Sequence, residues 1–150
     1  MMKHKLLIAL AALPLLASCG STSQALYYWG GWQNNVTKYE DLAYKEYKNQ
    51  TPEAICRLVC LYEDMVSNPG GTRQVPPPGI CAEYGYLLLQ SGTADTFASK
   101  ATDAQKKMFG TADYASLFYS KGQQMFEKEI EYYPESAIFL KPLIQKFTGR

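Results

Sequence analysis

Apolar positions follow two different patterns along this chain. From Leu6 to Leu16 the residues are apolar and broken only by Pro14, whereas from Asn35 onward large apolar residues return every three or four positions. The second pattern is that of amphipathic helices. Tyr39, Leu42, Ala43 and Tyr47 mark one face of a helix that runs from a cap at Asn35 or Thr37 to about Lys48. Asn49-Gln50 is a turn. Thr51-Pro52-Glu53 then offers a capping hydroxyl, a proline at the first helical position and an acid in the first turn. On the helix that follows, Ile55, Leu58, Val59, Tyr62, Met65 and Val66 share a stripe. So short a turn makes the two helices antiparallel neighbours.

Ser67 to Gly79 holds four prolines and three glycines and predicts an extended connector. Its Pro-Pro-Pro core resembles a ligand for a proline-reading module, but a spacer between helical hairpins explains it as well. Ile80 to Gln90 is the next helix, with Ile80, Tyr84, Leu87 and Leu88 on one side and Gly85 inside it. A mid-helix glycine costs about 1 kcal/mol against alanine, which a close helix crossing would justify. Gly92 is expected to end that helix as a C-terminal cap. Residues 93–112 predict one or two short helices with a loop. Asp113 can cap a long helix to about Tyr133, striped by Tyr114, Leu117, Phe118, Met125, Phe126, Ile130 and Tyr133. A last helix, 135–147, carries Leu140, Leu143, Ile144 and Phe147, and Pro142 should kink it or mark its start. No segment sustains period-two alternation, so the expected fold is all-α.

The first pattern has another meaning. Lys3, His4 and Lys5 precede the apolar run, which is too short for a membrane-spanning helix of about 20 residues. A charged start, a short apolar core and small residues before a cut describe an export signal. Leu16-Ala17-Ser18-Cys19 closes it as a bacterial lipobox, with Cys19 the residue that becomes the lipidated N-terminus; an ordinary signal peptide cut elsewhere is the alternative. The expected division is a signal at 1–18, a lipidated polar tether at 19–25 and one helical domain at 26–150. Gly20 stands where an aspartate would favour retention in the inner membrane, so the outer membrane is expected, on its periplasmic face.

Cleavage changes the composition in one important respect. The signal carries two of the 15 Lys+Arg and the single histidine, leaving 13 bases against 14 acids and no imidazole. Ser-His-Asp and Cys-His catalysis and His-based zinc chemistry are removed with it. Near-neutral charge gives no reason to expect nucleic acid as a partner. No cofactor, no metal and no enzymatic activity are expected. The carboxylates of Glu40-Asp41, Glu63-Asp64 and Glu127, Glu129 and Glu131 read as solvated helix faces or ion-pair partners.

Two clusters remain. Cys56, Cys60 and Cys81 enter an oxidising compartment, where a disulfide from Cys60 or Cys56 to Cys81 would staple two hairpins across the connector; small buried apolar residues are the other reading. Tyr27, Tyr28, Trp29 and Trp32 form the densest aromatic patch, with Gly30 and Gly31 between the tryptophans. They are either a surface for a partner or ligand, or packing across the first hairpin.

The segment from Ala82 to Leu88 with Gly92, and the segment Phe126–Ile130 with Tyr133–Ser136, resemble the two helices of a tetratricopeptide repeat. Gly92 and Phe126 stand 34 apart where that repeat would put them about nine apart, so residues 93–112 read as an insertion in an irregular array of antiparallel helical hairpins at 35–66 and 80–133. The whole mature chain resembles a family of small bacterial lipoproteins known as domain of unknown function 4810. The features that carry this are Cys19, the Leu26–Gly30 patch, the Thr51-Pro52-Glu53 start, the helix from Pro78-Gly79 to Gly92 and the Phe126–Ser136 ending. The resemblance implies an outer-membrane lipoprotein of a kind encoded beside a curli-type secretion-pore lipoprotein and another small lipoprotein, which suggests such a partner by association. The expected function is a lipid-anchored, non-catalytic helical adaptor in envelope assembly or secretion; a small-ligand or glycan binder using the Tyr/Trp patch is the alternative.

Overall fold

Side-chain caps set most of the helix starts in the computed structural model, which describes residues 24–149. Thr37 accepts from the Glu40 amide and opens α1 (Lys38–Asn49); Thr51 accepts from the Ala54 amide and opens α2 (Pro52–Ser67). Thr102 and Gln105 form a capping box for α5 (Asp103–Lys107), and Asp113 caps α6 (Tyr114–Tyr132) through the Ser116 amide. The other helices are α3 (Ile80–Leu89), α4 (Thr93–Lys100) and α7 (Ala137–Thr148), the last preceded by a 3-10 turn at Pro134–Ser136. Among the described residues the fold is all-α apart from one two-stranded ribbon. The Cys19 lipobox and the signal lie outside the described residues, as does the Tyr47 side chain. No helix among the described residues is long and apolar enough to cross a membrane.

Local chemistry also explains several departures from the sequence pattern. β1 (Trp32–Gln33) pairs antiparallel with β2 (Val36–Thr37) around Asn34-Asn35. Both asparagines have positive φ, the geometry a tight two-residue hairpin turn demands and asparagine tolerates. Asn35 therefore belongs to that turn, and Thr37 is the cap of α1. Gly92 does not close α3. The helix stops at Leu89 because Gln90 is extended, and Gly92, with φ of 86°, redirects the chain into α4. Pro142 neither starts nor ends α7, which runs through it. The carbonyl left without a helical donor is that of Ile138, whose residue is exposed, so solvent can serve it.

Packing is centred on α2, α3 and α6. The closest crossing is between α3 and α6, where Gly85 faces Gly122. A Cβ on Gly85 would stand 2.7 Å from the Gly122 carbonyl oxygen and 3.0 Å from the Phe126 ring. Residues 93–112 are not peripheral to this core. Phe97 is 0% exposed and stacks edge-on to Phe109, Tyr114 and Phe118, with ring centroids 5.1–5.4 Å away. An apparent insertion thus supplies a central side chain. The chain start is also less free than its polar composition implies. Ala25 and Leu26 carbonyls accept from the Thr72 and Arg73 amides in the connector, so the fold begins inside the expected 19–25 tether.

Candidate functional site

The aromatic patch is organised by backbone geometry before its side chains matter. Gly30 has φ of 77° and lies against Leu61, where a Cβ would be 2.5 Å from Leu61 Cδ1. Only glycine reaches that position without strain. The chain then turns into the β1–β2 ribbon, and the amides of Lys38 and Tyr39 donate back to the carbonyls of Gly31 and Trp29. This loop holds the four predicted residues, and they divide. Trp29 packs on Tyr39 with centroids 5.2 Å apart, and Tyr28 donates to Asp64 Oδ2 at 2.8 Å, both at the edge of the core. Tyr27 is half-buried beside the Tyr133 hydroxyl, which itself donates to the Pro76 carbonyl. Trp32 is 73% exposed.

Together the four line an open cleft of about 560 Å³, with Thr37 and Gln74 on its wall. The volume falls in the range of small-molecule sites, about 300–1,000 Å³. Burial, then the hydrogen bond to Asp64, raises the Tyr28 phenol above its usual range, so it remains a neutral hydrogen-bonding group. The cleft offers indole and phenol faces with a few neutral polar groups. Such a surface stacks on flat or apolar ligand faces.

The predicted carboxylates behave differently from one another. Glu40, Glu127 and Glu131 are exposed, and Asp41 pairs with Lys45 within α1. Glu63 and Glu129 are not solvated. Glu63 accepts from Tyr84 at 2.6 Å, Ser67 at 2.7 Å and the Lys121 ammonium at 2.6 Å. Burial opposes its ionisation, but Lys121 and the two hydroxyls more than offset this and hold the carboxyl below its usual range. Glu129, 1% exposed, accepts from the Gly79 amide at 2.7 Å and the Ala82 amide at 3.3 Å. It caps α3 from the far side of a helix crossing, since Gly79 has no side chain to do so. Here burial wins over those amides and pushes the carboxyl up. Glu63 is thus an ion-pair partner, as expected, though a buried one, whereas Glu129 is neither solvated nor ion-paired and corrects the sequence reading.

Glu83 was not singled out from the sequence. Both Tyr39 and Tyr62 donate to its Oε2 at 2.8 Å. The missed signal lies in the tyrosines: a phenol at a core-facing position needs a partner for its hydroxyl. Tyr28, Tyr39, Tyr62 and Tyr84 all find that partner in a carboxylate.

The expected disulfide is not formed. Cys56, Cys60 and Cys81 are free thiols. Cys56 faces the Thr96 carbonyl of α4, while Cys81 is next to Glu129 of α6, so the helices carry them to different interfaces. Burial first, then nearby Cys56 and Glu63, pushes the Cys60 thiol up to about 12; burial, then Glu129, does the same for Cys81. Thiols so held are protonated and slow to react. Among the described residues no group of three His, Cys, Asp or Glu is placed to hold a metal.

No family model, curated protein or solved structure matches this chain.

Proposed function

We propose that the protein is a lipid-anchored helical adaptor on the periplasmic face of the outer membrane, serving envelope assembly or secretion without catalysis. One observation carries this reading: Trp32 is 73% exposed on a ribbon whose neighbours Tyr28 and Trp29 are fixed to the core. An indole held outward on a rigid mount suits contact with another molecule, because rigid aromatic anchors lose little entropy on binding. The Cys19 lipobox and the resemblance to small envelope lipoproteins support the location and the class of partner in this reading, with a curli-type secretion-pore lipoprotein the first candidate. The close approach of α3 and α6 at Gly85 and Gly122 supports reading that pair as one tetratricopeptide-like unit.

A photo-crosslinking residue in place of Trp32, used in intact cells, tests the adaptor role. One defined protein adduct is expected. Folded, exported protein that crosslinks to no protein would sink it. A Cys19→Ser chain should lose both palmitate labelling and membrane fractionation.

The cleft volume and its hydroxyl- and amide-bearing wall favour a second reading, a glycan or small ligand stacked on Trp32 and Tyr27. Titration with cell-wall oligosaccharides, followed by tryptophan fluorescence, separates the two. Saturable quenching that Trp32→Ala abolishes would replace the adaptor by the binder.

A further inference from the structure

A second cleft, separate from the Trp32 site, opens between α1, α2 and α3. It measures about 400 Å³ and is lined by Tyr39, Tyr62, Tyr86, Leu58, Leu87 and Glu83 among others. Glu83 is the one charged side chain on its wall among the described residues, and none of their ion pairs uses it. The phenols of Tyr39 and Tyr62 orient this carboxylate without neutralising it. Both donate to Oε2 at 2.8 Å, while Oε1 receives only a 3.0 Å contact from Tyr39, so lone pairs remain for a further donor. Burial, and then Glu83, holds both phenols protonated far above neutral pH, so neither phenol adds a charge of its own to the cleft.

We propose that this cleft binds an organic cation, an alkylammonium or guanidinium group on an apolar stem. The carboxylate supplies the counter-charge. The tyrosines supply π-faces, which attract such cations. Leu58 and Leu87 supply an apolar wall for the stem. That wall is unsuited to a small hydrated metal ion, which would need several oxygen ligands. Tyr86, at 47% exposed, stands at the accessible side. The cation arrives either as a free amine or as a lysine or arginine side chain of a protein, and the chemistry of recognition is the same.

NMR titration of the isotope-labelled mature chain with n-butylammonium tests this. Saturable shifts confined to α1, α2 and α3 around the cleft are expected, weakened by added salt as a charge contact should be. The neutral isostere 1-butanol should bind about tenfold more weakly or not at all. Glu83→Gln keeps an acceptor oxygen for the two phenols and removes the charge, and should weaken butylammonium about tenfold. Equal binding of 1-butanol, or unchanged affinity in Glu83→Gln, overturns the proposal. If Glu83→Gln melts at a lower temperature, Tyr86→Leu decides, because it keeps the apolar contact and removes a π-face; a loss of about threefold is expected, and no loss overturns the site. N-acetyl-lysine methylamide distinguishes the sources: tighter binding than butylammonium indicates a protein side chain, and weaker binding a free amine. Trp32→Ala should leave all these affinities unchanged.

Discussion

Helix α3 is held on two sides by opposite means. Toward α6 the contact is backbone against backbone: Gly85 meets Gly122, and Glu129 reaches across to cap the helix start. Toward α1 and α2 the contact is made by long polar side chains, with Tyr39 and Tyr62 donating to Glu83 and Tyr84 donating to Glu63. The rings of Trp29, Tyr39, Tyr62 and Tyr84 follow one another at 5.2–6.2 Å along that seam. A backbone contact has no slack, whereas a tyrosine–carboxylate seam has several partly redundant bonds. The first joint should fail abruptly under substitution and the second by degrees.

The largest effect is expected at Gly85. Gly85→Ala places a methyl 2.7 Å from a carbonyl oxygen that cannot move without its helix, and should cost about 3 kcal/mol in thermal or denaturant unfolding. Gly122→Ala meets the Leu89 side chain at 2.6 Å, which must turn to another rotamer, and the Gly85 carbonyl oxygen at 3.1 Å, a longer backbone contact than the 2.7 Å at Gly85, and alanine's helix preference returns about 1 kcal/mol. It should be the milder of the two, and equal costs at the two positions would mean that the Gly122 carbonyl does not press on Gly85. Next comes Glu129→Ala, which takes the partner from the part-buried Gly79 and Ala82 amides and leaves a cavity where a fully buried side chain was. A loss of about 2–3 kcal/mol is expected by urea unfolding, with α3 amides exchanging hydrogen fastest.

The two joints also differ in sign with pH. The Glu63 carboxyl is depressed in the fold, so its contribution is present above the unfolded carboxylate range and is lost as pH falls through the folded value. The Glu129 carboxyl is raised, so its contribution is full below the unfolded range and is lost as pH rises through the folded value. Stability measured from about pH 3 to 7 should therefore fall less steeply toward acid in Glu63→Gln than in the natural chain, around the usual carboxylate range of about 4. In Glu129→Gln the rise from acid to neutral should be steeper. The same change of slope in both variants would mean that the two carboxyls titrate alike in the fold. The smallest effect is expected at Tyr62→Phe, about 1 kcal/mol, because Tyr39 still holds Glu83.

Legibility in the sequence followed the range of the interaction. Caps at Thr37, Thr51 and Asp113 act on amides three residues away, so the residues themselves announce the helix starts. Gly85 was readable as a crossing because glycine inside a helix has a cost that demands a reason. Its partner Gly122 lies in an otherwise ordinary helix, and only the fold pairs them. Glu129 and Gly79 are 50 residues apart, and nothing local tells a capping carboxylate from a solvated one. Phe97 lies in a polar stretch that the spacing of Gly92 and Phe126 made look like an insertion, yet it fills the centre of an aromatic group. Among the four candidate site residues, spacing identified a cluster but not which ring faces outward. That depends on the Gly30 turn and on Asp64, supplied by α2.

The paired segments at Ala25–Leu26 and Thr72–Arg73 have a mechanical consequence. A pull arriving from the N-terminal side of Gln24 meets hydrogen bonds to the connector first, and then the Tyr28–Asp64 bond to α2. From Gln24 onward, tension is delivered to the helical body within a few residues. Part of the Trp32 cleft is built on that same short path: Gln24, Ala25, Gly71 and Gln74 line it opposite the ribbon that carries Trp32, so a load that peels Ala25 from Thr72 also opens that wall of the cleft.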